Sequence, residues 1–285
     1  MIINAHAKIN LTLDVVGKRP DGYHELKTVF YEMPLHDILE FSRTEDKGIK
    51  IECSDRQLPT GEENLVYKAA KLLFDGYRLD GGLKVYIEKN IPYGAGLGGG
   101  SSDAAAALKA VNELYGLKLS DEELKKYAAC IGADVPFFIS GGAAYAGGIG
   151  EKLEPLGKVE IKPVVLAKPV FGVSTVSAYR AVDSERCVFH PDVDSVVEGL
   201  KSGRFEDVYQ NIGNSFEIPV FRLYPEIGKI KEAFLASGAR ASAMTGSGSA
   251  VFAVFESEDE AFAAAQKIKA RFDGIAVFLN NGERI

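Results

Sequence analysis

The sequence is poor in the features that mark several large classes of protein. It holds three cysteines, Cys53, Cys130 and Cys187, an odd number set far apart. That argues against a disulfide framework or a zinc site, so the three read as buried free thiols. The four histidines, His6, His24, His36 and His190, show no metal-ligand spacing. No apolar run reaches the length of a membrane span without a charge in it. Met1 to Lys8 have neither the basic start nor the apolar stretch of a secretory signal, which points to a cytoplasmic protein. Basic excess is missing too: the formal net charge of −7 disfavours a nucleic-acid partner and suits a protein that handles small molecules. Internal repeats, low-complexity tracts and flexible linkers are absent. At 285 residues the chain can bury a large core in one or two domains.

What is abundant is glycine in one place. Pro92-Tyr-Gly-Ala-Gly-Leu-Gly-Gly-Gly-Ser-Ser102 puts five glycines in seven residues, then two hydroxyls, then Asp103 and an alanine run. Glycine takes positive φ at no steric cost and lets backbone approach a ligand. The strand-like Leu83–Ile87 precedes the loop, and apolar residues at Ala104, Ala107, Leu108, Val111, Leu114 and Tyr115 predict an amphipathic helix over about 102–115. A glycine-rich turn feeding a helix N-terminus, with its unpaired N–H groups and partial positive charge, is a phosphate cradle. Gly94, Gly96 and Gly99 match the dinucleotide spacing. However, a second helix at about 121–131, capped by Ser120 and Glu123, follows instead of the strand of a βαβ unit. No lysine stands where a Walker loop needs one, and protein-kinase signatures are absent.

In chain order, residues 2–16 alternate, predicting a half-buried strand with Lys8 and Asn10 on one face. Arg19-Pro-Asp-Gly-Tyr-His24 is a turn ending in an aromatic and an imidazole, a pair suited to a planar ring. Residues 35–53 read as strands around a charged hairpin at 43–48, and Asn64–Phe74 as a helix. Asp134 falls just past a helix end, in turn or capping context, and Asp103 reads as a first-turn helix charge. Gly141 to Gly148 break up a short hairpin, and the pattern restarts with a strand at 159–168, placing a boundary near 155. Helices follow near Ala178 and over about 194–200, 204–210 and 225–236. Thr245-Gly-Ser-Gly-Ser249 is a second small-residue loop, leading into a strand at 250–255, a helix to about 271 and a strand at 275–279. That order predicts an α+β second domain.

A phosphate loop, a strand lysine, an aspartate and a Gly-Ser loop are the inventory of phosphoryl transfer, where positioning and charge stabilisation dominate. Ala7-Lys-Ile-Asn10, the loop Pro92–Ser102 and Met244-Thr-Gly-Ser-Gly248 together resemble the GHMP kinase superfamily. Arg19–His24 and Gly132-Ala-Asp-Val-Pro-Phe-Phe138 are similar to its branch acting on a cytidyl-diphosphate-linked methylerythritol. The resemblance implies a two-domain α+β fold, residues 1–155 and 156–285, with the active site in the cleft between the domains. It implies ATP with Mg²⁺, and phosphorylation of the acceptor's 2-hydroxyl. By that resemblance Asp134 is the catalytic aspartate and Lys8 its charge partner. Pro92, Tyr93, Gly94, Ala95, Gly96, Leu97, Gly98, Gly99, Gly100, Ser101 and Ser102 hold the triphosphate, and Asn64 and Lys89 lie near the adenosine. Asn10 helps hold the acceptor, Tyr23 and His24 form the cytosine site, and Thr175 and Tyr179 complete the substrate side. No dedicated metal ligands are read. Another small-molecule kinase of the superfamily, for homoserine, mevalonate or a sugar, is the alternative. A relative that binds metabolites without catalysis is a third reading, and a nicotinamide-dependent oxidoreductase a remote fourth.

Overall fold

The computed structural model describes residues 1–185 and 188–285, so Cys187 lies outside the described residues. The elements begin with β1 (Ile2–Lys18), β2 (His24–Thr44), β3 (Gly48–Cys53), α1 (Leu65–Tyr77), β4 (Gly82–Glu88), α2 (Gly99–Leu114), α3 (Asp121–Ala129) and α4 (Val135–Ser140). They continue with β5 (Ala143–Gly147), β6 (Lys152–Gly157), β7 (Val164–Lys168), α5 (Thr175–Asp183), α6 (Val193–Ser202), α7 (Phe205–Gln210) and β8 (Gly213–Asn214). The last are α8 (Glu217–Leu223), α9 (Pro225–Ala236), β9 (Ala241–Met244), β10 (Val251–Val254), α10 (Glu258–Arg271) and β11 (Ala276–Phe278). The fold is α+β. It sorts into two compact units, each discontinuous: Met1–Ala7, His36–Ile91 and Gly98–Gly141 form the first, and Lys8–Leu35, Pro92–Leu97 and Gly142–Ile285 the second.

In the first unit, β4 alternates as its sequence demands, with Leu83, Val85 and Ile87 inward and Lys84, Tyr86 and Glu88 outward. It pairs antiparallel with the end of β2 and parallel with β3, so β4 separates two strands that the sequence suggested would form a hairpin. Gly82 permits this: a Cβ there would stand 2.2 Å from the Asp46 carbonyl oxygen and 2.4 Å from that of Gly48. Helix α1 is capped by Asn64, and α3 carries the full Ser120–Glu123 capping box, a motif that contributes roughly 1 kcal/mol. Helix α2 is not amphipathic in the expected sense. It starts at Gly99, inside the glycine loop, and residues 102–108 are all buried. Four successive alanines make this possible, since small side chains let a helix be enclosed on most sides.

In the second unit, β2 pairs with β5 and β5 with β6, while the two residues of β8 run parallel to Thr12 and Leu13 of β1. A second sheet has the order β11-β7-β10-β9 with every pair antiparallel. Its apolar face meets Ile227, Ile230 and Phe234 of α9 and Ala261, Ala264 and Ile268 of α10. Burial of each large side chain there contributes about 1.5–3 kcal/mol. Strand β7 begins at Val164 rather than 159, because Pro163 cannot donate to a ladder. Helix α8 is absent from the sequence reading, which assigns no element between 210 and 225. Pro219 sits in the first helical turn, where its missing N–H costs nothing. Among the described cysteines none is disulfide-bonded, but Cys53 is half-buried and Cys130 exposed, against the expectation of buried thiols.

Candidate active site

Strand β1 departs from the half-buried pattern: from Ala7 to Val15 every residue is buried, including Lys8, Asn10, Thr12 and Asp14. A polar row can be enclosed only if it is hydrogen-bonded. Lys8 Nζ donates to Asn10 Oδ1 at 2.7 Å and lies 4.8 Å from the centre of the Phe30 ring. Asn10 Nδ2 donates to Thr28 Oγ1 at 2.8 Å, and that hydroxyl donates to the Thr12 carbonyl at 2.7 Å. The Asn10 N–H donates to Thr245 Oγ1 at 2.9 Å, and Lys8 N–H to the Leu97 carbonyl at 2.9 Å. Three stretches far apart in sequence therefore meet within the second unit: the lysine strand, the first half of the glycine loop and the late Gly-Ser loop.

The two loops touch backbone to backbone. Gly94, Gly96 and Gly98 all have positive φ. A Cβ on Gly96 would stand 2.5 Å from the Thr245 carbonyl oxygen, and the Ala250 N–H donates to the Ala95 carbonyl at 3.2 Å. These glycines are there for conformation and close approach together. Tyr93 is the exposed end of the loop, at 79 %. In the first unit, Gly98 caps α2 in the left-handed conformation, Ser101 is half-buried and Ser102 buried. The first N–H groups of a helix have no partner within it, and such a start can hold an anion.

Asp134 lies in the first unit, half-buried, at the N-cap position of α4, and makes no capping hydrogen bond to it. Asn64 Oδ1 accepts from Val66 N at 2.8 Å and its Nδ2 donates to the Pro59 carbonyl at 2.7 Å, so its side chain already serves the start of α1. Lys89 is buried and bonded to two carboxylates, Asp37 and, at 2.9 Å, Asp103. Its Nζ lies beneath Gly99, 3.2 Å from where a Cβ would be. Asp37 Oδ1 also accepts from the N–H groups of Asn90 and Ile91, at 2.6 and 2.8 Å.

Asp103 is thus no exposed first-turn charge. It is buried because α2 begins earlier than the sequence suggested, and its Oδ1 has no hydrogen-bond partner. Burial, with Asp37 adding and Lys89 opposing, pushes its carboxyl up from 3.8 to about 7. Between those values the folded protein keeps a proton that the unfolded chain has released. Stability is therefore present at the acid end of that window and falls as pH rises through it, by on the order of 1 kcal/mol per pH unit. In Asp103→Asn this slope should vanish, while Lys89 keeps an acceptor. Urea unfolding at about pH 5 and pH 7 measures it, and equal slopes in both proteins would remove the assignment.

His24 is buried, its Nε2 2.7 Å from Asp183 Oδ1, and its ring stacks on Tyr179 with centroids 4.5 Å apart and 21° between planes. Lys18, then His24, hold the Asp183 carboxyl below the usual carboxylate range. One face of Tyr179 is therefore taken by the imidazole and its edge meets Phe216, while Tyr23 stands 61 % exposed. Thr175 Oγ1 is 3.0 Å from Ser247 Oγ, which ties α5 to the Gly-Ser loop. The sequence reading missed Asp37, Asp183, Thr28 and Thr245 as partners of the site residues. An acidic residue within the apolar strand around Leu35 and Leu39 is the one signal that pointed to Asp37.

Family models for the GHMP kinases N terminal domain and the GHMP kinases C terminal domain match residues 64–142 and 196–274. The chain belongs to the GHMP kinase family. A relative in Clostridium beijerinckii, named 4-diphosphocytidyl-2-C-methyl-D-erythritol kinase, is 42 % identical over 97 % of this chain and 99 % of its own length. One of the same name in Clostridium acetobutylicum is 44 % identical over 92 % and 93 %. A solved structure of 4-(cytidine 5'-diphospho)-2C-methyl-D-erythritol kinase is 39 % identical, with a TM-score of 0.84 over 98 % of both chains. A homoserine kinase from Cytophaga hutchinsonii, at 21 % identity and TM-score 0.77, shares the fold.

Proposed function

We propose that this chain is an ATP-dependent kinase that phosphorylates the 2-hydroxyl of 4-diphosphocytidyl-2-C-methyl-D-erythritol, a step in isoprenoid precursor synthesis. Relatives of that name above 40 % identity over nearly the whole chain support the acceptor. The observation that carries the chemistry is the meeting of the Lys8–Asn10 strand, the glycine loop and the Thr245 turn, which is the inventory of a phosphoryl-transfer site. In this reading residues 1–155 form the N-terminal kinase domain and 156–285 the C-terminal one. The family matches fall on either side of that boundary.

Asp134 takes the proton of the attacking hydroxyl, and Lys8 is its charge partner, the ammonium that keeps the carboxylate ionised. Asn10 orients the acceptor while fixing the ammonium beside it. Pro92 to Ser102 hold the triphosphate, with backbone N–H groups and the two serine hydroxyls as donors. Asn64 and Lys89 frame the adenosine side; because both side chains are already engaged, they act by shaping that wall. Tyr23, exposed, offers a ring to the cytosine. His24, with Tyr179 behind it, presents an edge, and Thr175 lies on the same side. Mg²⁺ accompanies the ATP and neutralises charge on its phosphates. Such an ion is held mainly through phosphates and water. No described helix is long and apolar enough to cross a membrane, and the proposed location is the cytoplasm.

A coupled ADP-release assay tests the proposal directly. With ATP and Mg²⁺, the cytidyl acceptor should give a kcat/KM well above that of homoserine, mevalonate or galactose. A preference for an acceptor that lacks cytidine refutes the assignment.

A further inference from the structure

The late Gly-Ser loop is held from one side by a short stretch that the function above does not use, Asn214-Ser-Phe-Glu217. Asn214 is 1 % exposed. Both hydrogens of its amide are committed, to the carbonyls of Met244 at 2.7 Å and Gly246 at 2.8 Å, and its Oδ1 accepts from Phe216 N at 2.9 Å. Glu217, also buried, accepts from Met244 N at 2.9 Å and is paired with Lys231 at 2.6 Å. Three side-chain hydrogen bonds thus fall on two residues, Met244 and Gly246, and the two carbonyls held by Asn214 flank Thr245. The Thr245 hydroxyl accepts from Asn10 N at 2.9 Å and donates to Asn10 Oδ1 at 3.3 Å, and Asn10 Oδ1 accepts from Lys8. The Thr245 carbonyl is the group against which Gly96 packs.

We infer that Asn214 is a positioning residue for phosphoryl transfer: acting through Thr245, it fixes Asn10, the Lys8 ammonium and the glycine loop relative to one another. This rests on the role of Lys8 proposed above. The residue type follows from the chemistry. Two carbonyls need two N–H donors on one short side chain, which only asparagine supplies at this reach. Aspartate would face the carbonyls with a carboxylate, and alanine would leave two buried acceptors unpaired. Asn214 touches no substrate. It belongs to β8, whose register beside Leu13 of β1 sets it on the loop.

The test compares the full-length wild type with Asn214→Ala, Thr245→Val, the double variant and Val220→Ala, a cavity control in α8. It measures kcat, KM for both substrates, ATP affinity by calorimetry, and thermal stability. Asn214→Ala should lower kcat by about 10²-fold, with ATP affinity changed less than about tenfold, because a small misplacement costs the chemical step more than ground-state binding. Thr245→Val should follow it, and the double variant should be no worse than the poorer single, since the two residues act as one unit. Val220→Ala should lose stability without that fall in kcat. If alanine at 214 prevents folding, Asn214→Ser, which keeps one donor, should show a smaller loss confined in the same way to kcat. A kcat within about threefold of wild type in a folded variant, losses that multiply in the double, or an equal fall in Val220→Ala overturns the inference. If the wild type prefers an acceptor without cytidine, the proposed substrate falls. The same comparison, made with that acceptor, still decides Asn214.

Discussion

Asp134→Asn is expected to lower kcat by about 10²–10⁴-fold, the range that a positioned general base contributes, and to leave ATP affinity within about threefold of wild type. The substitution is isosteric, and the structure shows why it isolates the chemistry. Asp134 occupies the N-cap position of α4 without a capping bond to it, and asparagine is as good as aspartate at such a position. A thermal scan reads any change in stability separately from the change in chemistry. The proton acceptor is lost, while the loop that carries the triphosphate is untouched. Calorimetry with ATP, single-turnover phosphorylation and a thermal scan on one preparation separate the three quantities. Turnover within about tenfold of wild type removes that role, since a base worth so little is only orienting its substrate.

What could be read from the sequence follows the physics of each feature. The glycine loop was legible because positive φ and backbone contact demand glycine, and Gly94, Gly96 and Gly98 all use that freedom. The caps of α3 and α10 were legible because Ser120 with Glu123, and Ser257 with Glu260, act within one turn. The alternation of β4 and the extents of α7 and α9 are also local signals. What failed to show was decided at long range. Alternation in β1 says one face is apolar, but not that the polar face is enclosed too. That needed Thr28 and Thr245, 18 and 235 residues from Asn10. Asp103 reads as a surface charge until α2 starts three residues early and Lys89, just past the end of β4, pairs with it. The pairing of β3 with β4 in place of β2 is set by tertiary contact, and nothing in the residues at 43–48 distinguishes it from a charged hairpin. Asn214 and Asp183 are single polar residues in unremarkable stretches, and only their partners give them meaning.

Gly96→Ala is the second large effect, and Gly94→Ala beside it shows the cause. Both glycines have left-handed backbone, φ +64° at Gly94 and +78° at Gly96, so either alanine meets the strain of that region, about 1–2 kcal/mol. Their surroundings differ. A Cβ at Gly94 has nothing within 4 Å, whereas one at Gly96 stands 2.5 Å from the Thr245 carbonyl oxygen and 3.4 Å from that of Gly248. Backbone, not a flexible side chain, is in the way, so the two loops must part. The bonds at risk are those that define the site: Ala250 N to the Ala95 carbonyl, Lys8 N to the Leu97 carbonyl, and the Thr245 hydroxyl on Asn10. Gly94→Ala should lower thermal stability modestly and activity little more. Gly96→Ala should cost at least about 3 kcal/mol in urea unfolding and reduce kcat/KM by about 10²-fold or more, because the lysine and the phosphate loop no longer keep their spacing. Equal losses in the two variants would mean that backbone strain alone governs the loop and that its contact with Thr245 does not set the geometry of the site.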